Sequence, residues 1–170
     1  TNVVDRLLEP TIINKHFARL MATFNLFGWS RKSNPLGASS PVLAVNEKIA
    51  IVTGGYSGIG LETTRELVAT GAKVIIPAKR TEVAVQNLEG IVSKENIVEM
   101  DLGNLNSVKK FTEDFKENFK KLDLLINNAG IMACPETRIG NGWESQFAVN
   151  HIGHFLLTKE LMDAMACLLY

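Results

Sequence analysis

The chain has 170 residues, 46% of them apolar and 21% charged, with a formal net charge of zero. That is the profile of a soluble globular domain of ordinary size, without the charge field that draws nucleic acid or an acidic membrane surface. Cys134 and Cys167 make neither a metal spacing nor a secreted disulfide framework, and no run approaches the ~18 apolar residues of a membrane span, so an intracellular, cytoplasmic setting is expected.

Charge is uneven near the start. From Pro10 to Asn46 there is no Asp or Glu, while Lys15, Arg19, Arg31 and Lys32 are present. Phe17, Leu20, Met21 and Phe24 recur at helical spacing. Two readings stand open: a leader for an organelle or membrane surface, or a helix that packs on the domain. Residues 34–41 carry Pro, Gly and Ser and read as a linker. Residues 1–41 are therefore set apart from a domain over 42–170.

In the domain, residues 48–52 are a β-branched apolar strand. Thr53-Gly54-Gly55-Tyr56-Ser57-Gly58-Ile59-Gly60 is a glycine-rich turn. Residues 61–70 form a helix closed by Gly71, and 73–78 form a second strand with Pro77 near its end. Thr81 is expected to cap a helix to about residue 88, stopped by Gly90. Residues 97–100 are a short third strand. Ser107 is expected to cap a helix with Val108, Phe111, Phe115 and Phe119 on one face. Residues 122–126 are a fourth strand and 127–141 a loop. A long helix is expected over 143–166, with Trp143, Phe147, His154, Leu157, Leu161 and Met165 on one stripe. Alternating strands and helices predict an α/β fold, a Rossmann-type doubly wound parallel sheet in the order 3-2-1-4, running as far as its fourth strand and the long helix after it.

In such a sheet a ligand lies beyond the carboxyl ends of the strands, and every suggestive residue falls there. Glycines at 54, 58 and 60 leave room for a phosphate to approach backbone N–H groups. Residues 74–81 contain no acid, and Lys79 and Arg80 stand where a ribose-binding carboxylate would be. Cations there suit a 2′-phosphate, which favours NADP(H), with NAD(H) as the alternative. Asp101-Leu102 follows the third strand and Asn127-Asn128-Ala129-Gly130 the fourth. A P-loop is excluded because no Gly-Lys-Ser/Thr occurs, and a methyltransferase turn would follow an acid where Val52-Thr53 stands. His151 and His154, spaced as a metal pair could be, lack a cluster of further ligands and read as histidines that pack or hydrogen-bond. Cys134 reads as a small loop residue.

Together, Thr53-Gly54-x-x-x-Gly58-x-Gly60, Asp101, Asn127–Gly130 and Val149-Asn150-His151 resemble the signatures of the short-chain dehydrogenase/reductase family. The stretches 127–132 and 142–158 resemble its retinol-dehydrogenase-like and protochlorophyllide-reductase-like branch. The resemblance implies that Gly54, Ser57, Gly58, Ile59 and Gly60 wrap a pyrophosphate. It implies that Lys79 and Arg80 meet the 2′-phosphate and that Asp101 bonds the adenine amine, with Leu102 beside the ring. Asn128, Ala129 and Gly130 would line the nicotinamide ribose, and Asn150 would serve the proton relay as the one catalytic-group member present. Tyr56 replaces a small or amide residue and would shield the phosphate or point to solvent. The substrate would be a small carbonyl or alcohol, and a homo-oligomer would form through the helix at 143–166.

The family's reaction also needs a Tyr general acid/base, a Lys four residues on and a Ser. Here Tyr occurs only at 56 and 170, and neither is followed by Lys at that spacing. The chain by itself is expected to bind cofactor without turnover, and a non-catalytic binding or interaction module is the competing reading.

Overall fold

The computed structural model describes residues 48–165, so the expected leader helix, the linker and Cys167 lie outside the described residues. The elements are β1 (Ile49–Val52), α1 (Gly58–Ala69), β2 (Lys73–Ala78), α2 (Thr81–Asn87), β3 (Ile97–Glu99), α3 (Leu105–Asn118) and β4 (Leu124–Ile126). A hairpin of β5 (Arg138–Ile139) and β6 (Trp143–Glu144) follows. The last helix comprises α4 (Ser145–Phe147), a π turn (Ala148–Gly153) and α5 (His154–Met165). Among the described residues no helix is long and apolar enough to cross a membrane.

The main sheet is parallel, in the order β3-β2-β1-β4, as the alternating pattern predicts. Ala50, Ile51 and Val52 of β1 are wholly buried, as a central parallel strand covered on both faces must be. Alternation along β2 sends Ile75 into a cluster with Phe111 and Phe115 of α3 and Leu157 and Leu161 of α5. Ile76 points the other way, towards α1 and Thr64. Each such side chain contributes roughly 1.5–3 kcal/mol, against about 0–1 for an exposed ion pair such as Lys110–Asp114. Packing, not surface charge, therefore holds α3 to the sheet.

Local chemistry sets the ends of the elements. Gly71 (φ +86°) follows α1, its N–H bonds Val68 O, and the Ala72 N–H bonds Leu67 O, a Schellman closure. Pro77 pairs with Val98 of β3, while the pairing of β1 with β2 ends at Ile75, so its missing N–H lies past the ladder to β1. At the opposite end of the sheet Asp123 accepts from Lys48 Nζ at 2.7 Å and from the Ile49 N–H at 2.9 Å.

Three expectations need correction. Asn104, not Ser107, caps α3, since its side chain accepts from the N–H groups of Asn106 and Ser107. Ser107 is inside the helix, where its Oγ accepts from the Asp101 N–H at 3.0 Å. Thr81 is the first residue of α2, and Arg80 occupies the cap position without a side-chain bond.

The third correction concerns residues 138–147. Trp143 pairs with Ile139 in a hairpin whose turn holds Gly140 and Gly142 at φ +56° and +87°, so the last helix begins only at Ser145. Glu144 caps it, and the Gln146 and Phe147 N–H groups hold that carboxyl below the usual carboxylate range. The π turn then breaks the expected stripe. Ala148 and Gly153 are buried five residues apart, and Phe147 is 53% exposed with its ring stacked on His151.

Candidate functional site

A cleft of about 690 Å3 opens at the carboxyl ends of the parallel strands. Gly54, Tyr56, Ser57, Ile59 and Gly60 form its floor and one wall. Lys79 and Arg80 line it from the end of β2, Asp101 and Leu102 from the end of β3, and Asn128, Ala129 and Gly130 from the end of β4. Thus residues flagged at four separate strand ends meet in one place. Gly58 does not line the cleft; it begins α1 in the left-handed region at φ +53°.

The floor is built for close approach. A Cβ on Gly60 would lie 2.4 Å from both Asn128 Nδ2 and Gly54 O, and one on Gly55 would lie 2.7 Å from Ile76 Cδ1 and Thr64 Oγ1. Thr64 Oγ1 donates to Gly55 O at 2.8 Å and Asn87 Nδ2 donates to Tyr56 O at 3.0 Å, so the turn is fastened from α1 and α2. Ser57 at the cap of α1 makes no side-chain capping bond, and the first turn carries no acid. The first N–H groups of α1 therefore face outward without a side-chain acceptor, which fits an anionic pyrophosphate. A cleft of this volume, the uncapped start of α1 and cations at the end of β2 together fit a nicotinamide dinucleotide.

Thr53 is the hub that joins the glycine turn to the loop after β4. Its Oγ1 accepts from the N–H groups of Asn128 and Ala129, each at 2.9 Å, and Asn128 Nδ2 donates to Thr53 O at 2.9 Å. Asn150 reaches the same loop from the π turn. Its Oδ1 accepts from the Ile131 N–H and its Nδ2 donates to Ile131 O, both at 2.8 Å. One acceptor site and one donor of the carboxamide are thus used to clamp Ile131. Gly153 permits the π turn to lie on β3's end, because a Cβ there would sit 2.3 Å from Leu102 O.

Electrostatics at the end of β2 differ between its two cations. Lys79 Nζ pairs with Asp101 Oδ2 at 2.8 Å, while Gly103 N–H holds Asp101 Oδ1 at 2.9 Å. Arg80 is exposed at the mouth. His154, the second of the helix histidines, is buried and bonded to Thr53 and to the Asn150 carbonyl. Burial lowers its pKa, and the Asn150 carbonyl partly opposes this.

Sequence reasoning assigned no role to Thr53, Val83 or Asn87. Val83 and Asn87 are i, i+4 on α2 and both line the cleft, so helical spacing after Arg80 carried that signal. Thr53 had a weaker one: a hydroxyl at the strand end, where a loop from another strand needs an acceptor.

The short chain dehydrogenase family model matches residues 48–167. A chloroplastic short-chain dehydrogenase of Brassica napus, TIC 32 B, is 47% identical over 121 residues, 68% of this chain and 38% of that protein. Mouse retinol dehydrogenase 11 is 36% identical, covering 79% of this chain and 44% of its own. Among solved structures, the Pseudomonas aeruginosa RhlG/NADP active-site complex aligns with a TM-score of 0.58 at 27% identity, over 71% of this chain and 49% of that one. The chain spans less than half the length of each of these relatives. With its parallel sheet, glycine turn and Asn128 loop meeting in one cleft, it belongs to the short-chain dehydrogenase/reductase family.

Proposed function

We propose that these residues are the cofactor-binding half of an NADP(H)-dependent oxidoreductase that moves hydride between nicotinamide and a small carbonyl or alcohol. The observation that carries the reading is the convergence of the glycine floor, Lys79, Arg80 and Asp101 on one cleft. Bound dinucleotide would supply the hydride donor or acceptor at its nicotinamide C4. The chain's part is to hold it. Backbone N–H groups from 54–60 take the pyrophosphate, Lys79 and Arg80 the 2′-phosphate, and Asp101 the adenine amine, with Leu102 against the ring. Asn128, Ala129 and Gly130 flank the nicotinamide ribose, and Asn150 keeps Ile131 and its loop in place beside it.

Titration of the chain with NADPH and NADH, read by nicotinamide fluorescence, tests this. NADPH should bind more tightly; failure of both to bind removes the dinucleotide reading, and tighter NADH binding removes the choice of NADP.

A second reading is a non-catalytic dinucleotide-binding module that uses the same cleft. Both readings expect NADPH binding without carbonyl reduction by this chain alone. They part on the transcript: if its reading frame continues into a strand ending in Ser and then Tyr-x-x-x-Lys, the enzyme reading stands. Import of a fluorescent fusion carrying residues 1–41 would separate organelle targeting from a cytoplasmic setting.

A further inference from the structure

Thr53 Oγ1 has one proton to give and two lone pairs to fill. The N–H groups of Asn128 and Ala129 fill the lone pairs. His154 Nε2 lies 2.9 Å from the same oxygen, whereas the Ile126 carbonyl, at 3.4 Å, is a poorer destination for the proton. On the far side of the ring, His154 Nδ1 is 3.0 Å from the Asn150 carbonyl oxygen. A carbonyl can only accept, so Nδ1 carries hydrogen. Nε2 of a neutral ring is then the acceptor for the Thr53 proton, and every donor in the group has one acceptor. Thr53 is 0% and His154 7% exposed, so bulk solvent does not compete for these bonds.

A protonated ring breaks this account. Three N–H donors would converge on a hydroxyl oxygen with two lone pairs, and the Thr53 proton would have to turn to Ile126 O. The groups facing the ring are Thr53 from β1 and the Asn150 carbonyl from its own helix; beyond Thr53 lie Ile126 O and the amides of the loop after β4. Among the described residues the ring is bonded to Thr53 and to the Asn150 carbonyl and to no carboxylate, so a buried imidazolium would lack a counter-charge.

We propose that His154 is a positioning residue: as the neutral, Nδ1-protonated ring it fixes the direction of the Thr53 hydroxyl, holding the Asn128–Ala129 amides and the π turn of Asn150 in one register, and uptake of a proton by the ring releases that register. The coupling joins two parts of the cleft that are about a hundred residues apart in sequence. Its effect on cofactor rests on the dinucleotide reading above; the hydrogen-bond arrangement does not.

The test is nitrogen-15 NMR on the whole 170-residue chain across the histidine range, about pH 5 to 8, with NADPH titrations over the same interval. The His154 ring should show the Nδ1–H tautomer, and the Asn128 and Ala129 amide signals should move with the ring's own midpoint. NADPH affinity should fall about fivefold as the ring protonates. His154→Gln can still accept from Thr53 but does not titrate; it should bind like the parent above neutrality and lose the acid decline. An Nε2–H tautomer, amides that do not follow the ring, or an unchanged acid decline in His154→Gln would each overturn the proposal. If NADPH binds at no pH, the dinucleotide reading fails while the ring and amide signals still decide the role of His154. The same signals decide it if the Gln variant does not fold.

Discussion

Lys79 Nζ and Asp101 Oδ2 lie 2.8 Å apart, an ion pair that ties the end of β2 to the end of β3 across one side of the cleft. Lys79 is 71% exposed, and a pair this open is worth about 0–1 kcal/mol, so its exchange for a phosphate dianion costs little. Asp101 stays in place when Lys79 leaves, because Gly103 N–H holds its other oxygen. Lys79→Ala should weaken NADPH binding roughly tenfold and leave NADH nearly unchanged. Asp101→Asn should weaken both through the adenine contact while raising the NADPH-to-NADH preference, since Lys79 is released. Fluorescence titration measures both; equal losses of the two cofactors in Lys79→Ala would remove the phosphate assignment.

Gly153→Ala should unfold more readily than the parent chain. The new Cβ would meet backbone, Leu102 O at 2.3 Å and Leu102 C at 3.0 Å, and neither can swing aside. A loss of about 1–3 kcal/mol or more is expected from overpacking of this kind. Gly58→Ala is the control: nothing lies within 4 Å of its Cβ, and only φ +53° opposes it, costing about 1–2 kcal/mol. Urea unfolding midpoints compare them, and a Gly153→Ala loss no larger than that of Gly58→Ala would contradict the close approach.

Acid should loosen the end of the sheet opposite the cleft. Burial pushes the Asp123 carboxyl up, but bonds from Lys48, the Ile49 N–H and Lys121 outweigh it and hold the pKa below the usual carboxylate value. A depressed folded pKa means that the unfolded chain takes up its proton first as pH falls. The stabilisation is therefore complete above the ordinary Asp value of 3.8 and is lost as pH drops below it towards the folded value. Asp123→Asn should cost about 1.5–3 kcal/mol near neutrality and flatten that part of the acid-unfolding curve. A parallel curve, merely displaced, would argue against Asp123 as its source.

Asn104→Ala should lower stability by about 1 kcal/mol, the usual value of a helix N-cap, without changing NADPH affinity. Ser107→Ala should do the reverse in emphasis: it strips the acceptor from the Asp101 N–H and should weaken cofactor binding more than it shortens α3. Thermal unfolding and titration of the two variants separate the cap from the support of Asp101.

Much of the site was legible because its parts are local. A β-branched strand, a glycine run and a helix mark the turn within about a dozen residues, and alternation with right-handed crossovers orders the strands. What escaped depends on chain that is distant or out of phase. Asn104 and Ser107 are both acceptable caps by type; the helix starts at Leu105 with Asn104 as its cap, and Ser107 accepts from the Asp101 N–H instead. Trp143 fits a helical stripe in sequence, but Gly140 and Gly142 turn it into a strand against Ile139. His154 was legible as a packed histidine, while its partner Thr53 is brought to it only by the tertiary fold.

The π turn at 148–153 holds one residue more than a regular helix would spend there. Removing that residue, for instance Ile152, would let α4 and α5 join as an unbroken α-helix with better backbone bonds. Because the π turn spends the extra residue within the same arc, the flanking helices would keep their phase, and α5 would stay anchored by Leu157 and Leu161. What would go is the bulge from which Asn150 reaches Ile131. Helix regularity and the clamp on Ile131 are thus opposed in this segment, so that the shorter chain would be the better helix and would hold the loop after β4 less well.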